Sequence, residues 1–205
     1  MNAPPQDHSL LSTEEELFLR ITAIVFDNDD MVIGVQATDE FAQDDIGTWT
    51  IKAVGLLAHE ITDLSGSFEV LRPDHVLVRE LVERRHSLYI SGSVDCPAEV
   101  VGRLFSAHSA VAADWIPFGR YLNRCCQPEL VLEGGHGLIA DGPEFLIDCY
   151  DRTLRGSGIK TSRPPSHPAK VWDGTSWQEV PSSVKGFLIG SSFFLATKLE
   201  ETKTG

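Results

Sequence analysis

Cys96, His108, His59 and His136 are the side chains whose types and positions could do chemistry. Cys96 stands immediately before Pro97, at the start of a helical pattern. Free N–H groups and the helix dipole at such a place bias a thiol toward the nucleophilic thiolate. Asp95 beside it opposes that bias, and the equivalent position in a second, similar segment is Gly142, so the local geometry does not require a thiol. His108 falls within an apolar helical stripe, where a histidine is more often a satisfied core residue than a base or ligand. Alternation along Trp49–Thr62 puts His59 with Trp49, Ile51, Ala53, Leu57 and Ile61, which predicts a buried or rim histidine held by a hydrogen bond. His136 follows Gly134-Gly135 and is expected to be exposed. The candidates for catalysis are therefore Cys96 and His108, and those for ligand binding are His59 and His136.

Other constellations fall short of a site. Asp27-Asn28-Asp29-Asp30 is acidic but lacks the Gly and the distant Glu of a calcium-binding loop. His59-Glu60 cannot grip zinc, because strand neighbours face opposite ways, and His75 and His86 lack metal-ligand spacing. Gly134-Gly-His-Gly is separated from the next helix by a strand, so its amides and a helix terminus would not converge on a phosphate. Arg84-Arg85-His86 reads as a solvated helix end complementing the dipole. No nucleophile elbow or Walker motif is present. No metal and no cofactor are expected.

Composition narrows the partners. The 205 residues carry a formal net charge of −13 with ordinary apolar content, 42%. That field repels phosphate backbones, and no basic patch offsets it, so nucleic acid is not an expected partner. The four cysteines make no disulfide framework: Cys125 and Cys126 are adjacent, with Cα atoms about 3.8 Å apart, below the usual disulfide range. Reduced thiols in a cytoplasmic protein are expected. The N-terminus does not resemble a signal peptide, and the longest apolar run, Phe187 to Ala196, is too short to span a bilayer.

The elements that must position these residues are organised around a repeated phrase. Leu88–Val94 and Gly137–Ala140 are apolar runs ending near Asp95-Cys-Pro97 and Asp141-Gly-Pro143, each followed at once by a helical pattern. Proline is tolerated in a first helical turn because its missing N–H would be unpaired anyway. The first helix carries Val100, Val101, Leu104, Phe105, His108, Val111, Ala112 and Trp115. The second, from Pro143 to about Arg155, buries Leu146, Cys149, Tyr150 and Leu154. Gly134-Gly135 between Leu130–Glu133 and His136–Ala140 predicts a tight hairpin. With Ile159–Ser162 as a returning strand, residues 86–163 read as a ferredoxin-like βαββαβ segment.

Around it, Leu19–Phe26 and Met31–Gln36 predict a hairpin turning at Asp27–Asp30, and Phe68–Leu71 a short strand. Val76–Arg85 predicts a helix, and Val171-Trp172 with Trp177–Val180 a second hairpin. Gly186–Lys198 is apolar on both parities and predicts one strand inside a sheet. The predicted fold class is α+β. An antiparallel β-rich lobe forms from both chain ends (14–85 plus 168–199), and the ferredoxin-like segment is inserted at 86–163. A linker at 164–167 and tails at 1–13 and 200–205 complete it. The predicted core contains Ile51, Leu57, Tyr89, Ile90, Leu104, Phe105, Leu138, Ile139, Leu146, Phe187, Ile189, Phe193 and Leu195.

On function, charge without a convergent catalytic set points to a non-catalytic protein-binding or regulatory module acting on another, basic protein; a homodimer is also compatible with the sequence. The alternative is a small enzyme using Cys96 or His108 in a cleft between the lobes.

Overall fold

Apolar residues at every second position along Leu17–Ile21, Met31–Ala37 and Trp49–Ala53 give each strand one face that must be buried, and the chain buries it by closing a barrel. The computed structural model describes residues 9–12, 16–39 and 45–205. Strands β1 (Leu17–Asp27), β2 (Asp30–Asp39), β3 (Asp45–Glu60) and β4 (Ser65–Val70) precede helix α1 (Val76–Val82). Next come β5 (Arg85–Ser91), α2 (Pro97–Ala112), α3 (Pro128–Gly134), β6 (His136–Pro143), α4 (Glu144–Gly156) and β7 (Lys160–Ser162). The hairpin β8 (Lys170–Trp172) and β9 (Trp177–Glu179) is followed by β10 (Lys185–Ile189) and β11 (Ser192–Lys203). The chain divides into two compact units, residues 1–73 with 181–205, and residues 74–180.

The first unit is a closed antiparallel barrel in the order β1-β2-β3-β11-β10-β4. Leu19, Ile33, Ile51, Ala53, Phe187, Ile189 and Phe194 fill it, and Leu10, from a 3-10 turn at Leu10–Ser12, joins the same core. Each fully buried Leu, Ile or Phe contributes about 1.5–3 kcal/mol relative to exposure. Closure rests on three residue pairs between β1 and β4: Phe18↔Ser67, Leu19↔Gly66 and Arg20↔Ser65. Residues 1–8 and 13 of the expected N-terminal tail lie outside the described residues.

In the second unit, β5 is flanked by β6 and β7, antiparallel to both. Leu88 and Ile90 of β5 share a core with Val100 and Leu104 of α2, Val131 and Leu132 of α3, and Ile147, Tyr150 and Leu154 of α4.

This architecture overturns the ferredoxin-like reading of the α+β chain. The β-rich part is a closed six-stranded barrel, and the 86–163 segment contains a three-stranded sheet rather than a βαββαβ unit. The error lies at Leu130–Glu133, which forms α3 and not a strand. Pro128 opens that helix and Glu129 sits in its first turn, while Gly135, at φ 71° and ψ 9°, is the left-handed residue that ends it by donating its N–H to the Val131 carbonyl. The Gly-Gly pair is thus a helix cap and not a hairpin turn. A short apolar run carries too little periodicity to separate the two. Gly186–Lys198 also divides into β10 and β11, turning after Gly190, with Ile189 paired to Ser192. Tyr89 and Phe105, expected in the core, are 40% and 54% exposed. Tyr89 lies on the opposite face of β5 from Leu88 and Ile90, and Phe105 packs its edge on Phe118. Leu57, Leu138 and Phe193 are only half-buried.

Candidate functional site

The four side chains singled out from the sequence do not form one cluster. His59 belongs to the barrel unit; Cys96, His108 and His136 belong to the second. Cys96 is the exposed N-cap of α2, makes no side-chain capping bond, and lines an open cleft of about 350 Å³ with Asp95, Glu99, Arg103 and Ser157. Twelve residues further along the same helix, about 18 Å at its rise per residue, His108 is 2% exposed. Its Nδ1 lies 2.7 Å from the Tyr150 hydroxyl and its Nε2 2.6 Å from the Ile116 carbonyl oxygen. A carbonyl only accepts, so Nε2 carries the hydrogen and Nδ1 accepts from Tyr150. Both ring nitrogens are thus engaged inside the core. His136 is exposed, with Nδ1 2.9 Å from the Gly134 carbonyl oxygen.

His59 is exposed near the end of β3, where it pairs with Phe194 of β11. β3 shifts register against β11, where Leu195 pairs with Ala58 and Ala196 with Leu56, and Gly55 sits at φ 60°. Leu56 packs on the barrel core, and the His59 ring lies 5.5 Å from that of Phe26.

The two arginines of the basic cluster are bonded to neighbouring backbone and side chains. The Arg84 guanidinium donates to the Ser166 hydroxyl (2.7 Å) and carbonyl (2.9 Å), and Arg85 donates to the Glu80 carbonyl at 2.8 Å. Both residues lie after the end of α1, which stops at Val82. The Tyr121 hydroxyl donates to the Glu80 carboxylate at 2.7 Å, and Arg120 pairs with the same oxygen at 2.8 Å. Burial, reinforced by the Glu80 charge, pushes the Tyr121 hydroxyl pKa up. All four cysteines are free, and burial raises the pKa of Cys149. Among the described residues, no three His, Cys, Asp or Glu side chains are grouped to hold a metal ion, and no helix is long and apolar enough to cross a membrane.

The feature that stands out lies at the tip of the β1-β2 hairpin, where no candidate had been placed. Beyond Ile21, whose N–H bonds the Leu64 carbonyl at 2.7 Å, the outer edge of β1 has no strand partner among the described residues. Val25 and Phe26 on this stretch are each 56% exposed. The tip is nonetheless held firmly. Asp30 pairs with Lys52 at 2.8 Å and accepts the Gly55 N–H at 2.9 Å, so its carboxyl is held below the usual range by Lys52 first and Gly55 second. The Asp29 carbonyl accepts the Leu56 N–H at 2.6 Å. Asp27 and Asp29 add negative charge at the tip, and Lys52, paired with Asp30, also feels Asp27. The signal available in the sequence was Ile24-Val25-Phe26, three consecutive apolar residues on a strand with only one face to bury.

Charge is divided unevenly. Residues 1–73 and 181–205 carry sixteen Asp and Glu against six Lys and Arg, a net −10, whereas residues 74–180 carry fourteen against eleven, a net −3. Compared with models of known protein families, with curated proteins and with solved structures, the chain matches none of them.

Proposed function

We propose that this protein is a non-catalytic protein-binding module, cytoplasmic, whose partner is a basic protein engaged through the barrel unit. The observation that carries this reading is the apolar tip of the β1-β2 hairpin, with Val25 and Phe26 exposed within an acidic rim on a unit of net charge −10. Exposed apolar side chains supply contact energy, while the surrounding carboxylates steer a cationic partner and reject anionic ones. Free thiols are compatible with the proposed compartment. The alternative enzyme reading has no convergent pair to build on, because His108 is committed to Tyr150 and Ile116 and its ring is buried away from the Cys96 cleft.

The test is affinity capture from native extract at low and raised salt, with the wild-type chain and a Val25→Ser/Phe26→Ser variant. A specific basic protein should be retained at low salt, released as salt rises, and missed by the variant. Capture indifferent to both salt and variant, or stabilisation by a small metabolite with no protein captured, would defeat the reading.

A further inference from the structure

We infer that the partner binds by adding a β-strand to the free edge of β1 between Thr22 and Asp27, as an extended segment in which apolar residues alternate with Lys or Arg. This rests on the reading of the barrel unit as a binder of basic protein and specifies how it binds.

The argument begins with backbone chemistry. Asp27 and Asp30 flank a two-residue turn, with Asn28 at φ 56°, and β1 pairs with β2 residue by residue from there: Phe26↔Met31, Val25↔Val32, Ile24↔Ile33 and Ala23↔Gly34. Hydrogen-bonded and non-hydrogen-bonded pairs alternate along an antiparallel ladder. If Asp27, Val25 and Ala23 bond toward β2, the N–H and C=O of Ile24 and Phe26 point away from it. No strand among the described residues receives them. An apolar, unpaired edge is normally blunted by lysine, proline or a covering element. Thr22-Ala23-Ile24-Val25-Phe26 contains no charge and no proline, and no strand among the described residues covers it. It is also preorganised, since Asp29 and Asp30 fasten the tip to β3 and the edge need not be ordered on binding.

Charge selects the occupant. A second copy would bring another barrel unit of net charge −10 against the first, whereas Asp27 and Asp29 favour Lys or Arg on an added strand.

The experiment measures fluorescence anisotropy of an acetylated peptide of alternating lysine and valine on the full chain at low salt. It also uses the same peptide N-methylated throughout, and the variants Phe26→Pro and Phe26→Ala. The N-methylated peptide keeps every side chain and charge but has no N–H to give the Ile24 and Phe26 carbonyls. Proline at 26 removes an outward N–H and no β2 ladder bond, so the hairpin is expected to persist. The expected result is binding of the plain peptide, at least about tenfold weaker with the N-methylated peptide and with Phe26→Pro than with Phe26→Ala. Should Phe26→Pro fail to fold, the two peptides still decide the matter on the wild-type chain. Equal binding of both peptides overturns strand addition and leaves the basic-partner reading standing. Binding of neither peptide overturns both. A wild-type dimer in sedimentation that Phe26→Pro dissociates places a second copy on the edge and overturns the choice of a basic partner.

Discussion

The Tyr150 hydroxyl donates to Nδ1 of His108 at 2.7 Å, and the opposite ring nitrogen donates to the Ile116 carbonyl at 2.6 Å, so one buried imidazole joins α2, α4 and the loop that follows α2. A histidine on an apolar stripe, taken alone, suggests that leucine would do as well or better. The two bonds reverse that expectation. His108→Leu would strand a buried hydroxyl and a buried carbonyl, each costing about 1–3 kcal/mol. Thermal or denaturant unfolding should show a loss in the range of about 2–4 kcal/mol, with Tyr150→Phe losing less. A variant His108→Leu as stable as wild type would refute the bonding assignment.

Ser192 is fully buried, and its hydroxyl accepts the N–H groups of Thr62 and Asp63, both at 2.9 Å, while donating to the Asp63 carbonyl at 2.7 Å. Asp63 in turn accepts from the Ser191 hydroxyl and N–H, which hold its carboxyl below the usual range. These bonds tie the loop after β3 to the β10–β11 turn. Ser192→Ala is expected to lower stability by about 1–3 kcal/mol. It should also speed amide exchange at Thr62 and Asp63. Unchanged exchange there would show that the hydroxyl does not serve those groups.

Asp151 on α4 predicts a pH dependence. Burial pushes its carboxyl up, but bonds from Thr161, Arg155 and Arg163 outweigh that and leave it below the usual range. A carboxyl lowered by folding contributes stability that is present above its unfolded value, about 3.9, and lost as pH falls through the folded value. Asp151→Asn should therefore cost about 1–2 kcal/mol at neutral pH, in line with hydrogen bonds to charged groups. The gap in melting temperature should begin to close below about pH 4 and vanish only as pH falls through the folded value. A gap that stays constant down to pH 2 would contradict this.

Cys96 is exposed and caps nothing with its side chain. Cys96→Ser should change stability by no more than about 0.5 kcal/mol, as for surface substitutions generally. It should also leave capture of a basic partner unchanged. Loss of a cellular activity in folded Cys96→Ser protein would restore the thiol as a functional group.

Features set by neighbours along the chain were legible in the residue order alone. The apolar, β-branched runs Leu19–Phe26 and Met31–Gln36 and the acidic turn between them specified the first hairpin. The Asp173-Gly-Thr-Ser176 turn specified the pairing of Trp172 with Trp177, whose rings pack at 5.7 Å. Proline and a 3.6-residue apolar stripe likewise marked α2 and α4. Other features depend on residues far apart along the chain. Barrel closure pairs Leu19 with Gly66, and β3 with β11 across roughly 140 residues, and no local pattern encodes which edge meets which. The bulge in β3 exists only in its register against β11, and α3 rather than a strand follows Pro128 because packing at Val131 and Leu132 arbitrates a run too short to declare its own period. The candidate binding edge belongs to this second class. That Ile24-Val25-Phe26 is apolar was legible, but that its backbone goes unpaired follows from where β4 leaves β1, after three residue pairs.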